Sequence, residues 1–182
     1  VMRAIKDSPH YKSELEGVLP KDEYARLTRT DRTIPNQLLK SFANIPADAT
    51  GDLFGQIYEY FLAEFARSEG QKGGEFFTPR SVVRLMVEII EPHGGRVFDP
   101  ACGSGGMFVQ SSPFIESHGQ DTSHRVTFFG QEKTATTIRL AKMNLAVHDL
   151  EGDIREANTF YDDVHDLYGK RDFVMANPPS NV

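Results

Sequence analysis

Gly95-Arg-Val-Phe-Asp-Pro-Ala-Cys-Gly-Ser-Gly-Gly-Met-Phe-Val109 is the stretch on which the fold turns. Arg96 to Asp99 reads as a short buried strand, because Val97 and Phe98 suit a covered, pleated surface. Pro100 lacks a backbone donor and discourages the strand from continuing. Gly103, Gly105 and Gly106 then make a tight turn, and a helix opens near Met107. Glycine lets the backbone take positive φ and approach a ligand closely, so the following helix can present free N–H groups to an anion. Strand, glycine loop and helix form a cradle for a nucleotide-type cofactor, or an ordinary turn from strand to helix.

Downstream, Met107 to Glu116 reads as a helix that Pro113 ends or kinks. His118 to Arg125 is polar and reads as a surface loop. Val126-Thr-Phe-Phe-Gly130 is a second strand, ending in Gln131-Glu132. An acidic side chain at the C-terminal end of such a strand, one βαβ unit after the glycines, is where doubly wound folds hold ribose hydroxyls. The plainer alternative is a solvent-exposed loop glutamate. Thr134 caps a helix through His148 with Ile138, Ala141, Leu145 and Ala146 inward. Gly152 to Glu156 is a third strand leading to Ala157-Asn158-Thr159, and Asp172-Phe-Val-Met-Ala176 is a fourth. Strands alternating with helices over 95–176 predict a parallel sheet with helices on both faces.

Upstream, Lys21 to Arg32 mixes both charge signs and reads as a solvated surface. Leu38, Leu39, Phe42 and Ile45 make a short helical stripe stopped by Pro46. Asp52 to Arg67 is a helix whose face Leu53, Phe54, Ile57, Tyr58, Phe61, Leu62 and Phe65 is expected in the core. Ser68 to Gly74 is polar and glycine-rich, a flexible connection or a loop that orders around a ligand. In the helix after Glu75-Phe-Phe-Thr-Pro-Arg80, the expected buried face is Val82, Leu85, Met86, Ile89 and Ile90, and Pro92 with Gly94-Gly95 ends it. Thr78-Pro79 is complete as a cap with proline in the first helical position. It is equally the setting in which Phe76 and Phe77 wall a cofactor pocket.

With 182 residues, 39% of them hydrophobic, the chain can bury one core with a smaller helical appendage. No apolar run reaches the ~18 residues of a membrane span, and the N-terminal residues lack the apolar centre of a signal peptide. One cysteine excludes an intramolecular disulfide and suits a reducing, cytoplasmic setting. A net charge of -6 argues against a broad basic surface gripping nucleic acid unaided.

Asn177-Pro178-Pro179 carries the most specific chemistry. Two prolines after an apolar strand can simply stop it. The functional alternative starts from the adenine N6 amine, a poor nucleophile because its lone pair is delocalised into the ring. Two fixed acceptors, an asparagine side-chain oxygen and the carbonyl of the following proline, can bind its two N–H groups and aim the lone pair at an incoming methyl. This is positioning with electrostatic stabilisation and needs no covalent intermediate.

Taken together, these stretches resemble the modification (M) subunit of type I restriction–modification systems, an S-adenosylmethionine-dependent adenine-N6 DNA methyltransferase family. The resemblance runs through Gly55-Gln-Ile-Tyr-Glu-Tyr-Phe61, Gly74-Glu-Phe-Phe-Thr-Pro-Arg-Ser-Val-Val83, Asp99-Pro-Ala-Cys-Gly-Ser-Gly-Gly-Met-Phe108, Gly130-Gln-Glu132, Leu140-Ala-Lys-Met-Asn-Leu145 and Asn177-Pro-Pro179. It implies a Rossmann-like methyltransferase sheet over 75–182, incomplete at the C-terminus, preceded by a helical region over 1–74. By the same resemblance Glu75, Phe76, Phe77, Thr78, Pro79 and Arg80, with Ser104, Gly105 and Gly106, line the methionine end of S-adenosylmethionine. Asp99 and Gly103 join that cofactor set, Glu132 holds the ribose and Asn158 sits by the adenine. Asn177 and Pro178 orient the target amine of a flipped base, in a catalytic turn that includes Pro179 and Ser180. The implied partners are DNA, the specificity (S) and restriction (R) subunits and a second M subunit, in the cytoplasm, with no membrane.

Two departures follow. Ser180 stands where the family usually has an aromatic that stacks on the flipped base, and the chain stops at Val182, before three further strands of such a sheet. A fragment that binds cofactor without methylating alone is the expectation, with its fourth strand an exposed apolar edge. A cofactor-binding but catalytically silent assembly subunit is the alternative. A dinucleotide oxidoreductase lacks the full G-x-G-x-x-G pattern and leaves Asn-Pro-Pro unexplained. A nucleotide triphosphatase lacks Gly-Lys-Ser/Thr after the glycines. The six histidines form no recognisable metal-ligand motif.

Overall fold

The computed structural model describes residues 18, 23–43, 53–68, 77–119 and 125–178. Glu75, Phe76, Pro179 and Ser180 lie outside the described residues, as do the glycine-rich stretch over 69–74 and most of the loop after His118. The chain divides into two compact units, Val1–Leu53 and Phe54–Val182.

In the first unit α1 (Glu23–Thr30) packs on α2 (Ile34–Ala43). The mixed-charge stretch is therefore helical, although its described side chains are mostly exposed, as its composition requires. Asp31 turns the chain between the helices, accepting from the backbone N and the hydroxyl of Thr33, each at 2.7 Å. Of the apolar stripe expected here, Leu39 is exposed, and the side chains of Leu38 and Phe42, together with Ile45, lie outside the described set.

The second unit opens with α3 (Leu53–Ser68). Its buried stripe is Gly55, Leu62 and Ala66. Phe54, Phe61 and Phe65, expected in the core, are exposed. Leu62 is buried as expected, while Gly55 and Ala66 stand inward where Phe54 and Phe65 were expected, a shift of one residue or about 100°. The small side chains of Gly55 and Ala66 allow a close approach that the phenylalanines one position earlier would block. Tyr58 fixes the helix by donating its hydroxyl to the Leu140 carbonyl at 2.9 Å, and burial pushes the phenol up, so it stays a neutral donor.

A similar correction applies to α4 (Arg80–Ile90). Val83 and Val87 are its fully buried residues, with Met86 and Ile90 packed beside them, whereas Val82, Leu85 and Ile89 face outward. The inward set follows i, i+3, i+4, i+7, so the helix is amphipathic about a neighbouring axis. Glu91 ends it in the left-handed region and returns its N–H to the Val87 carbonyl at 2.8 Å.

The sheet comprises β1 (Gly95–Asp99), β2 (Val126–Glu132), β3 (Gly152–Glu156) and β4 (Phe173–Val174), all parallel in the order β3-β2-β1-β4. The fourth strand is shorter than expected, but bonds from Asp172 N to Arg96 O and from Met175 N to Phe98 O carry the pairing past both ends. Between strands lie α5 (Gly106–Ser117) and α6 (Ala135–Val147). α5 runs through Pro113, which sits on its exposed side, and eight of its twelve residues are buried. It is a central helix, with apolar residues around most of its circumference.

The two faces of the sheet are covered differently. Phe128 packs on Phe108 of α5, with ring centroids 5.1 Å apart. On the opposite face Phe98 and Phe129, paired in register, meet the ring of His165 at 6.1 and 5.4 Å. His165 belongs to the connection over 157–172, which crosses this face as successive turns. Helices on both faces are what the alternation predicts, but the second face is closed by turns. The His165 side chain is buried, its Nε2 donating to the Gly130 carbonyl at 2.9 Å.

Candidate functional site

β1 ends at Asp99 beside Gly130, and β2 runs two residues further to Glu132. Asp99 is buried, and its Oδ1 accepts from Ala101 N at 2.9 Å, which starts the glycine turn. Burial pushes its carboxyl up to about 7, the Ala101 bond opposes this, and the charge of Glu132 adds to the rise. The thiol of Cys102 is pushed well up, first by burial and then by Asp99 and Glu132. Cys102 N donates to Gln131 O at 3.0 Å and stitches the turn to β2. Gly130 is required there, because a Cβ would lie 2.8 Å from the Cys102 sulfur.

The three glycines have separate tasks. Gly103 and Gly105 take positive φ, +53° and +78°. Gly105 N closes the turn on Cys102 O at 2.8 Å, and its own carbonyl receives Phe108 N and Val109 N. A Cβ on Gly105 would rest against Ala141 at 3.6 Å, whereas one on Gly106 would meet nothing within 4 Å. Gly105 is therefore demanded by backbone conformation, and Gly106 leaves open space at the mouth of α5. No side chain caps that helix, so its first N–H groups are left for another acceptor.

Glu132 ends β2 with Oε1 accepting from Thr134 N at 3.0 Å, which leaves Oε2 for a ligand. Ala157 N bonds to the Glu132 carbonyl at 3.1 Å and brings the next segment alongside. There Asn158 is exposed and uses Oδ1 to accept from Phe160 N at 3.1 Å, a local turn. Gln131, buried between them, anchors the segment by donating Nε2 to the Asp162 carbonyl at 2.8 Å and to the Thr159 hydroxyl at 3.2 Å.

Thr78 and Pro79 lie at the start of α4, where Pro79 is the N-cap residue and its carbonyl takes Val82 N and Val83 N. No side-chain bond caps the helix. The Thr78 hydroxyl is used elsewhere, accepting from Asn177 Nδ2 at 3.0 Å. The Asn-Pro turn and the Thr-Pro turn thus meet, with Asn177 and Pro178 exposed.

A cavity of about 320 Å³ opens beside this contact, within the size range of small-molecule sites. Phe77, Thr78, Arg80, Ser104 and Gly106 line it, together with Gln56, Glu59 and Tyr60 of α3. Gln110 and Asn144 complete its polar lining. Arg80 Nε donates to Gln110 Oε1 at 3.0 Å, Gln110 Nε2 donates to Glu59 Oε1 at 2.8 Å, and Arg80 Nη1 lies 3.5 Å from Glu59 Oε2. Asn144 donates Nδ2 to the Ser104 carbonyl at 2.9 Å, while its Oδ1, although buried, has no partner among the described residues.

Sequence reasoning passed over Glu59, Gln110, Gln131 and Asn144. Two signals were available: a polar residue directly after the apolar run Met107-Phe108-Val109 at the start of α5 (Gln110), and an asparagine on the inward side of α6 (Asn144). Glu59 carries no such signal, because only the tertiary position of α3 brings it to the cavity.

A parallel sheet with a glycine turn after its first strand, an acidic residue at the end of its second and Asn177-Pro178 after the fourth defines an α/β domain of the methyltransferase kind. The N-6 DNA Methylase family model matches residues 49–182, and the chain belongs to that family. It is 47% identical over 132 residues to the type I restriction enzyme HindI methylase subunit of Haemophilus influenzae, covering 71% of this chain and 29% of that protein. It is 40% identical over 174 residues to the MjaIX methylase subunit of Methanocaldococcus jannaschii, covering 94% and 30%. Among solved structures, a type I restriction–modification methyltransferase subunit from Streptococcus thermophilus superposes with a TM-score of 0.65 at 28% identity, over 78% of this chain and 31% of that one. A class I S-adenosylmethionine-dependent methyltransferase from Listeria monocytogenes shares the fold, with a TM-score of 0.62 at 16% identity over 78% and 43%. The chain spans about three-tenths of the length of these type I relatives. Among the described residues no helix is long and apolar enough to cross a membrane.

Proposed function

We propose that this chain is the cofactor-binding and catalytic-turn portion of a type I modification subunit that methylates adenine N6 in DNA. The observation that carries the reading is the bond between Asn177 and Thr78 beside the cavity. It joins the turn that would present a base to the turn that would line the cofactor.

The residues present fit S-adenosylmethionine. Open space over Gly106 and the uncapped start of α5 admit a ligand close to the backbone. The free Oε2 of Glu132 suits ribose hydroxyls, and Asn144, with its orphaned Oδ1, belongs to the cavity lining. When bound, the cofactor supplies an electrophilic methyl on a sulfonium. Glu132 would hold the sugar, Asn158 would border the adenine, and Phe77 to Arg80 with Ser104 to Gly106 would hold the methionine end, joined by Glu75 and Phe76.

Asn177 does the positioning. Its Nδ2 is engaged by Thr78, which sets the amide orientation and leaves Oδ1 as an acceptor. With the Pro178 carbonyl, Oδ1 takes the two N–H groups of a flipped adenine amine and removes the lone pair from conjugation with the ring. The charge of -6 on this stretch leaves phosphate binding to the rest of the modification subunit and to partners, the specificity subunit first, with a restriction subunit and a second modification subunit in the assembly. Such a complex works in the cytoplasm. A silent assembly role is the weaker reading, because it gives the Asn177–Thr78 pair nothing to do.

The test is nucleoside mass spectrometry on target duplex treated with the full-length protein, its specificity partner and S-adenosylmethionine. N6-methyladenine should form with wild type and be absent with Asn177→Ala. Undiminished product from Asn177→Ala would overturn the assignment.

A further inference from the structure

We propose that Glu59 and Asn144 recognise the α-ammonium of the bound nucleoside's amino-acid end, so that α3 is part of the ligand site. The inference rests on the cofactor reading above and adds to it a specificity-determining pair outside the glycine turn and the Thr-Pro turn.

An amino-acid end is a zwitterion. A site that selects it must offer donors to a carboxylate and acceptors to an ammonium, close together and shielded from water. The cavity supplies both kinds. Arg80 is its guanidinium, bonded to Gln110 through Nε and lying 3.5 Å from Glu59 through Nη1. That leaves other donors of the fork for a carboxylate. Glu59 is the carboxylate of the cavity lining, its side chain 22% exposed, held by Gln110 at 2.8 Å. A carboxylate has about four lone-pair sites, and Gln110 and Arg80 occupy two of them.

Asn144 is the second, independent observation. It is 1% exposed and its Oδ1 is an acceptor without a partner among the described residues, a state that is costly if nothing ever fills it. Its Nδ2 is committed to Ser104 O, which fixes which end of the amide is free. Ser104 and Gly106 line the same cavity at the start of α5, whose uncapped N–H groups favour an anion there. An ammonium, with three donors, is the group that satisfies Glu59 and Asn144 Oδ1 together. A neutral thioether lacking the amino-acid end satisfies neither.

Three nucleosides separate the possibilities, titrated by calorimetry against the full-length protein. S-adenosylmethionine carries both charges of the zwitterion, decarboxylated S-adenosylmethionine keeps the amine alone, and 5′-methylthioadenosine has neither. Because the last also lacks the sulfonium, S-adenosylhomocysteine, a neutral thioether with the zwitterion intact, is titrated beside them and should lose affinity in the variants as S-adenosylmethionine does. Glu59→Gln, which keeps shape and an acceptor for Gln110, should weaken the first two by about 10-fold or more and leave 5′-methylthioadenosine within about twofold. Asn144→Ala should show the same selectivity with a loss of about 5-fold. Equal losses on all three nucleosides would mean a structural role and overturn the proposal. A loss on S-adenosylmethionine that disappears with the decarboxylated compound would overturn it too, since Glu59 would then act only through Arg80 on the carboxylate. Wild-type binding of all three with both variants unaffected defeats this inference alone. Wild type binding none of them defeats the cofactor reading as well.

Discussion

Asn177 donates its side-chain Nδ2 to the Thr78 hydroxyl at 3.0 Å across 99 residues of sequence, joining the end of β4 to the start of α4. The bond makes Thr78 something other than a helix cap: its oxygen orients an amide, and α4 begins without a side-chain cap.

Thr78→Val should therefore slow methyl transfer by about 2-fold to 10-fold, the worth of one neutral hydrogen bond, with smaller change in cofactor affinity. In an Asn177→Ala background the same substitution should add nothing further. Single-turnover rates for the two single variants and the double variant close the cycle. Additive losses would show that Thr78 acts independently of Asn177.

Gly105 and Gly106 should fail in different ways. Gly105→Ala places a Cβ at φ +78° and should lower unfolding stability by about 1–2 kcal/mol, read as a lower denaturant midpoint. Gly106→Leu meets open space and should fold normally while losing cofactor binding. Retained affinity in a folded Gly106→Leu protein would remove the cofactor from the mouth of α5.

Asp99 sets a pH dependence. Its carboxyl holds a proton up to about 7 in the folded protein, against an ordinary value near 4 in the unfolded chain. Between those values the folded state binds more protons, so stability falls as pH rises from about 4 to about 7, by at most about 1.4 kcal/mol per pH unit from this group. The contribution is complete below about 4 and gone above about 7. Asp99→Asn keeps an acceptor for Ala101 N and should flatten that slope in denaturant titrations across this range. An unchanged slope would assign the dependence to other groups.

Cys102 should be dispensable for the chemistry. Methylation at cytosine C5 needs a thiolate that attacks the ring, and this thiol is buried and held protonated. Cys102→Ala should still yield N6-methyladenine, at a rate within about threefold of wild type once corrected for folded protein. Formation of 5-methylcytosine by the Ala variant would contradict the whole mechanism.

The elements that alternate strongly were legible in the sequence. Val97-Phe98, Val126 to Gly130 and the helix over 135–147 each carry a local pattern that fixes strand or helix. The inward face was less legible where apolar residues ring the helix. On α3 and α4 several phases fit the sequence, and the neighbour chose the one presenting Gly55, Leu62 and Ala66, or Val83 and Val87. At the site, the glycines and Glu132 announce themselves through backbone chemistry. Glu59 becomes visible only when four helices converge on one cavity, and although Asn144 stands out as an asparagine on an inward face, nothing local distinguishes a buried asparagine with a free oxygen from one that is fully bonded.

The packing of Cys102 against Gly130 turns the chain's one thiol into a clock. A thiol that is both covered and held protonated cannot be alkylated until the glycine turn lifts from β2. Its rate of labelling therefore counts openings of the loop on which the cofactor would rest, a local event distinct from global unfolding. Each ligand, partner subunit or DNA duplex that steadies that loop would register as a slower tick, with no residue changed.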